Sequence, residues 1–126
     1  MQIYIQNSSA TPIFQQIKDQ MIEQILTGKL MEGEALPSIR GLAKDIGISI
    51  MTIKKAYDEL ELEGYIITKQ GKGSYISKQG IELAKEAKQK EIEQYIFKVV
   101  ELSKKYRMNK SEILEIFELA YEEGTE

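Results

Sequence analysis

The chain has 126 residues and a formal net charge of −3, and it contains no cysteine and no histidine. These absences exclude disulfides and thiolate nucleophiles, remove most zinc ligands, and take away the commonest general base. We therefore expect neither an enzyme nor a cofactor or metal. The N-terminal stretch Met1 to Thr11 does not have the pattern of a signal peptide, and no run approaches the ~20 apolar residues that cross a bilayer. We expect a cytoplasmic protein with no membrane partner.

One stretch, Gly71-Lys72-Gly73-Ser74, suggests a phosphate-binding loop. The Walker pattern needs Ser or Thr directly after the lysine and a glycine five residues before Gly71. Those positions hold Gly73 and Ile66, so the pattern fails.

The first part of the chain predicts three short helices. Apolar residues recur at helical spacing from Pro12 to Leu26. A second helix is expected to begin after Ser38 as its N-cap and to end at Gly47, and a third to begin after Ser49 and to end at Gly64. Two short helices joined by a tight glycine-containing turn form a helix-turn-helix.

A hairpin is expected to follow the third helix. Two short stretches, Tyr65 to Lys69 and Ser74 to Ser77, flank the glycine-rich turn Gln70-Gly71-Lys72-Gly73. Such a hairpin beside a helix-turn-helix is a wing.

Two further helices are predicted after Gly80. The first is long, charged and striped with apolar residues, and Tyr106 to Met108 interrupts it. Asn109 with Glu112 three residues later predicts a capping box at the start of the last helix. Two helices alone make a poor core, so we expect them to pack on each other and to bury their remaining apolar faces against a second copy of the chain in a homodimer.

Aromatic and aliphatic residues of this tail also suggest an alternative, a small effector pocket lined by Tyr95, Ile96, Val99, Phe117 and Tyr121. Helical stripes of this kind are more often a core or a dimer seam, which favours the seam. The sequence identifies no effector.

Four stretches in order make the chain resemble the GntR family of bacterial winged-helix repressors. They are Leu36-Pro37-Ser38-Ile39-Arg40-Gly41-Leu42-Ala43, the turn Gly47-Ile48-Ser49, Glu61-Leu62-Glu63-Gly64-Tyr65-Ile66, and Gln70-Gly71-Lys72-Gly73-Ser74-Tyr75-Ile76. The opening Pro12-Ile13-Phe14-Gln15-Gln16-Ile17 and the two-helix tail are similar to the YtrA subfamily, whose members lack large effector domains.

The resemblance implies a mainly α (α+β) fold, with a winged helix-turn-helix DNA-binding domain in residues 1–78 and a two-helix dimerisation tail in residues 79–126. It implies a sequence-specific transcriptional regulator, a repressor, that binds double-stranded DNA as a homodimer on an inverted-repeat operator. The third helix would enter the major groove and the wing tip the adjacent minor groove. A winged helix that binds only protein is the alternative from another class, and a small hydrolase is a third.

Site residues follow from the resemblance and from side-chain chemistry. The resemblance implies DNA contacts at Ser38, Arg40, Ser49, Thr52, Lys54, Gln70, Gly71 and Lys72. Arg40 carries a planar fork suited to a phosphate or to a guanine edge, Lys55 and Lys69 carry charge for phosphates, and Gly71 and Gly73 permit positive φ and close backbone approach. A solvated surface lysine remains open for Lys55, and an ordinary hairpin turn remains open for the wing.

The chain departs from the family pattern at three positions. Gly41 stands where the family usually has Glu, so the capping box begun by Ser38 lacks its second half. Ile50 and Met51 replace the usual Arg, Asn, Pro or Thr. Rotation by about 100° per residue predicts that Ile50 packs at the edge of the core and that Met51 is exposed. We hypothesise that Met51 contacts a thymine methyl in an A·T pair; an incidental exposed methionine remains open.

Net acidity does not exclude DNA binding, because charges beyond about 8 Å are screened at physiological salt. The segment from Ala35 to Ser77 is slightly basic. Its basic residues are Arg40, Lys44, Lys54, Lys55, Lys69 and Lys72, and its acidic residues are Asp45, Asp58, Glu59, Glu61 and Glu63. We expect a modest phosphate contribution to binding and a shallow dependence of affinity on salt.

Overall fold

A computed structural model of the protein describes residues 1–124. Within them lie five helices and one two-stranded antiparallel sheet, which is the predicted fold class. In chain order they are α1 Ile13–Leu26, α2 Ile39–Ile46, α3 Ile50–Leu62, β1 Ile66–Lys69, β2 Gly73–Ile76, α4 Lys78–Lys105 and α5 Lys110–Glu123. None of these helices is long and apolar enough to cross a membrane.

The chain forms two compact units. The first is Met1–Ala87 and the second begins at Lys88. The first part of α4 belongs to the first unit, where Gly80 and Ala84 are buried. The predicted division into residues 1–78 and 79–126 separates DNA binding from dimerisation, and it stays a prediction.

Side-chain caps begin three of the helices at the expected residues. Ser38 accepts a hydrogen bond from the backbone N–H of Gly41 at 3.0 Å, and Ser49 accepts one from the N–H of Thr52 at 3.2 Å. Asn109 and Glu112 form a complete capping box at the start of α5. These predictions are confirmed, and so is the missing second half of the box at α2.

The core of the first unit is built around one side of α3. Ile53, Ala56, Tyr57 and Leu60 recur at i, i+3, i+4 and i+7 and are buried. They belong to one apolar cluster with buried residues of α1 and α2, which are Ile17, Met21, Ile25, Leu42 and Ala43. Because one side of α3 is enclosed, its opposite side faces outward.

A buried lysine connects α1 to α3. The Nζ atom of Lys18 lies 2.9 Å from a carboxylate oxygen of Glu59 and 2.9 Å from one of Glu63, and the lysine side chain is only 5% exposed. Burial alone would lower the pKa of Lys18, but the hydrogen bonds and charges of both carboxylates outweigh it and raise the pKa above its usual value. The ammonium therefore stays charged inside the fold.

The segment just before α2 is hydrogen-bonded to the wing. The N–H of Leu36 donates to the carbonyl of Ser74 at 2.9 Å, and the N–H of Ile76 donates to the carbonyl of Glu34 at 3.0 Å. The sequence pattern did not predict this pairing. It attaches the base of the hairpin to the chain that leads into α2.

Three glutamines of α1 hold the extended N-terminal segment. They stand at i, i+4 and i+8, so they lie on one face of the helix, and each bonds the backbone of one residue of the segment. Together they bond every second residue. The pairs are Gln16 with Gln6, Gln20 with Tyr4, and Gln24 with Gln2, at distances from 2.6 to 3.1 Å. Ile3, between two of these contacts, is buried in the core.

The start of α4 lies unusually close to the base of the wing. A Cβ atom added at Gly80 would lie 2.6 Å from the Cα atom of Tyr65, which no side chain can occupy without backbone movement. Ser77 caps this helix by accepting a hydrogen bond from the N–H of Gly80 at 2.8 Å, while its hydroxyl donates to the carbonyl of Gly64 at 2.7 Å. Only glycine fits at this crossing.

We predict that Lys18→Met lowers the free energy of unfolding by about 1–2 kcal/mol at neutral pH, because it leaves two carboxylates without their buried partner. The raised pKa of Lys18 means that the stabilisation is complete below the unfolded-state pKa of 10.5 and is lost as pH rises through the higher folded-state pKa. Urea unfolding at a series of pH values should therefore show the gap between wild type and variant narrowing only above pH 10.5.

Lys54→Met is the matched control. Its partner is Asp58 in an exposed pair on one helix, with both side chains more than half exposed, so the loss should stay within about 0.5 kcal/mol. Equal losses in the two variants would contradict the assignment of Lys18 as a connection between α1 and α3.

Candidate nucleic-acid interface

The turn between α2 and α3 has the geometry of a helix-turn-helix. Gly47 ends α2 with φ of 69°, and the N–H of Ile48 donates to the carbonyl of Ala43 at 3.0 Å. The hydroxyl of buried Tyr57 donates to the carbonyl of Pro37 at 2.8 Å. Burial raises the pKa of Tyr57, so the phenol remains a neutral donor. This bond fixes α3 against the residue that precedes the cap of α2.

The guanidinium group of Arg40 is available for an external partner. Arg40 is the second residue of α2, it is exposed, and its side chain has no hydrogen bond or ion pair within residues 1–124. Its five donors are therefore available for a phosphate or for the edge of a guanine. Ser38, two residues earlier, is exposed as well, but its oxygen is engaged in the helix cap.

The first turn of α3 exposes apolar side chains. Met51 is 72% exposed, as expected from its place opposite the core stripe. The expectation that Ile50 packs at the edge of the core was wrong, because Ile50 is 44% exposed and does not belong to the apolar cluster. As the first residue of the helix, it has no preceding turn to cover it. The Ser49 and Thr52 hydroxyl oxygens lie 2.8 Å apart and are hydrogen-bonded to each other.

The two adjacent lysines of α3 differ in their partners. The Nζ atom of Lys54 lies 2.6 Å from a carboxylate oxygen of Asp58, so its charge is compensated. The Nζ atom of Lys55 lies 4.0 Å above the ring centroid of Phe14 in α1, and the ring carries no charge. No anion in this contact compensates the charge of Lys55. Lys54 must first leave an exposed ion pair, which costs little.

The wing is a short hairpin with a three-residue loop. Lys69 pairs with Gly73, and the N–H of Lys72 closes the turn by donating to the carbonyl of Lys69 at 2.9 Å. Gly71 and Gly73 have φ of 75° and 89°, the conformations that were expected of them. Gln70 and Lys72 are exposed at the tip. Lys69 lies beside the loop, and its Nζ atom is 5.0 Å from the ring centroid of Tyr75.

The structure brings the predicted residues of α2 and α3 to one helix-turn-helix and those of the wing to one loop. The aromatic partners Phe14, Tyr57 and Tyr75 were not anticipated from the sequence. The Lys54–Asp58 pair could be predicted from the sequence, since oppositely charged residues at i and i+4 meet on a helix. Contacts between elements, such as that of Lys55 with Phe14, could not. Residues 1–124 contain no cluster of acidic side chains that could hold a metal ion.

Comparison with known proteins identifies the same region. Residues 13–76, about half of the chain, match the family described as Bacterial regulatory proteins, gntR family. The HTH-type transcriptional repressor YtrA of Bacillus subtilis (strain 168) is 49% identical over 75 residues, which are 60% of this chain and 58% of YtrA. The match thus spans less than two thirds of YtrA.

Two solved structures extend the comparison. A GntR family transcriptional regulator from Listeria monocytogenes is 29% identical and superposes with a TM-score of 0.71 over 97% of this chain and 100% of that one. AraR(DBD) in complex with operator ORX1 is 25% identical, with a TM-score of 0.54 over 61% of this chain and 96% of that one.

The family match covers α1 to β2, which contain every residue of the candidate interface. The relatives are named as regulators and not as enzymes. The chain therefore belongs to the gntR family of DNA-binding bacterial transcription regulators and is YtrA-like within it.

Proposed function

We propose that the protein is a repressor that binds an inverted-repeat operator as a homodimer, with α3 in the major groove and the wing tip at the adjacent minor groove. The observation that supports this most directly is the pair of uncompensated exposed cations, Arg40 and Lys55, on either side of the turn between α2 and α3. Such cations bind phosphates or base edges. DNA binding of this kind takes place in the cytoplasm of a bacterium.

We assign DNA binding and dimerisation to the two predicted domains. Residues 1–78 supply Arg40, the exposed face of α3 and the wing tip. Phosphate contacts position the protein, while Arg40 and Met51 contact base edges. With a nearly balanced charge in this region, the dependence of affinity on salt is shallow.

The homodimer is supported by the apolar surface of the second unit. Between Lys88 and Gly124 no residue is buried. Every large apolar side chain of α5 except the half-buried Ile113 is exposed, namely Leu114, Ile116, Phe117, Leu119 and Tyr121. At about 100° per residue these side chains spread over more than half of the helix circumference, which exceeds what one neighbouring helix covers.

A second copy of the chain is the partner that fits this surface. The expectation that α4 and α5 pack on each other was wrong, because the two helices make little contact within the described residues of one chain. Their apolar faces are left for a partner, and a two-fold dimer explains an inverted-repeat DNA site. The residues 79–126 thus serve dimerisation. An effector pocket among Tyr95, Phe117 and Tyr121 would need an enclosing wall, whereas these side chains are each more than half exposed.

We expect Arg40→Ala to reduce specific DNA affinity by about 10- to 100-fold, because each dimer loses two guanidinium contacts. Fluorescence anisotropy with the DNA upstream of the protein's own gene, beside a shuffled duplex, measures this. Lys29→Ala is the control, since Lys29 is an exposed cation beside the C-terminal end of α1. A protein-interaction module without DNA binding would leave all three proteins indistinguishable.

The Met51 contact is tested on the DNA. Replacing single operator thymines by uracil removes only the methyl group, and at the contacted position we expect a severalfold loss of affinity. Met51→Ala should be insensitive to the same replacement. If uracil at every position leaves wild-type affinity unchanged, Met51 is an incidental exposed residue.

Dimerisation through the tail is tested by sedimentation equilibrium. Wild type should have the mass of two chains at micromolar concentration, and Phe117→Glu should sediment as a single chain, because a carboxylate is costly to bury. Glu115→Gln, at an exposed polar position of the same helix, is the control and should remain dimeric. A monomeric wild type would contradict the proposal.

A further inference from the structure

We propose that Phe14 is a positioning residue: its ring holds Lys55 in place for contact with a DNA phosphate beside the exposed face of α3. The inference deepens the proposed function and rests on it. It concerns a residue outside the helix-turn-helix and the wing, at the beginning of α1.

The geometry of the contact is specific. Phe14 is half-buried and packs against the apolar cluster, so neighbouring side chains restrict its ring. The Nζ atom of Lys55 lies 4.0 Å above the ring centroid, within the ~6 Å over which the negative face of an aromatic ring attracts an ammonium group. No other hydrogen bond or ion pair of the Lys55 side chain occurs within residues 1–124. One side of the ammonium therefore meets the ring, and its remaining donors face solvent.

The place of Lys55 on α3 connects this contact to DNA. Lys55 follows Met51 by four residues, so the two side chains lie on the same face one turn apart, about 5–6 Å between their Cβ atoms. Met51 is 72% exposed at the front of that face. Lys55 is held against α1 one turn after Met51. It is therefore in position to neutralise a phosphate at the edge of the groove that Met51 faces.

An aromatic ring positions Lys55 for a phosphate better than a carboxylate would. Lys54, on the neighbouring face, is paired with Asp58 and must exchange one anion for another on binding DNA. The Phe14 ring restricts the rotamers of Lys55 without cancelling its charge. A long side chain loses conformational entropy when it is ordered on binding. The contact with Phe14 orders Lys55 in part before DNA binds, which reduces this loss.

The test is a double-mutant cycle in DNA binding. A phosphate contact does not depend on sequence, so a fluorescent duplex of about 30 base pairs serves at ~0.05 M salt, followed by a salt series. The variants are Phe14→Leu, which keeps an apolar side chain without the aromatic face, Lys55→Met, which removes the charge, and the two combined. Phe14→Tyr keeps the ring, and Lys29→Met removes an equivalent charge elsewhere.

We expect Lys55→Met to lower affinity about tenfold and to reduce the salt slope by about one for each protomer bound. Phe14→Leu should lower affinity about threefold with an unchanged slope, because Lys55 still reaches the phosphate. In the Lys55→Met background, Phe14→Leu should have no further effect. Phe14→Tyr should bind like wild type, and Lys29→Met should leave the slope unchanged.

Two results would overturn the inference while leaving DNA binding intact. One is a Phe14→Leu loss of the same size with and without Lys55, which would mean that the ring acts only through packing. The other is an unchanged salt slope in Lys55→Met. A wild type that fails to bind any duplex at low salt would overturn the proposed function together with the inference. Thermal unfolding of each variant verifies that it is folded.

Discussion

The burial of one side of α3 is the constraint on which the candidate interface depends. Ile53, Ala56 and Leu60 are completely enclosed, and Tyr57 adds a hydroxyl that is bonded to the chain before α2. A helix held along one side by apolar contacts has a single rotational setting, because any other would expose this surface to water. The outward direction of the remaining side chains follows from that setting. The face of α3 that we propose to contact DNA is thus a product of core packing on the opposite side of the same helix.

Local patterns in the sequence predict the elements well, since their causes are local. Caps at Ser38, Ser49 and Asn109 depend on the next three residues alone, and the wing loop depends on glycines that adopt positive φ. The outward direction of Met51 follows from helical rotation and the core stripe. The positions of most candidate DNA contacts along the chain, in contrast, follow from the resemblance to the GntR family and not from these local patterns.

Contacts between distant parts of the chain could not be predicted, because periodicity describes a helix and not its neighbour. The burial of Lys18 requires knowing that α1 crosses α3 beside Glu59 and Glu63. The exposure of Ile50 reflects where the helix starts relative to the core, which rotation alone does not specify. The same limit explains why the contact of Lys55 with Phe14 could not be predicted from the sequence.

The three glutamines that hold the N-terminal segment determine where anything joined to it leaves the domain. Gln24 bonds the carbonyl of Gln2, and ten residues of helix, about 15 Å, separate Gln24 from Phe14. A fluorophore, an affinity tag or additional chain ahead of Gln2 would therefore emerge at the end of α1 that lies away from Lys55. The segment directs such an attachment away from the proposed DNA surface, and this end of the molecule suits labelling for optical measurements of binding.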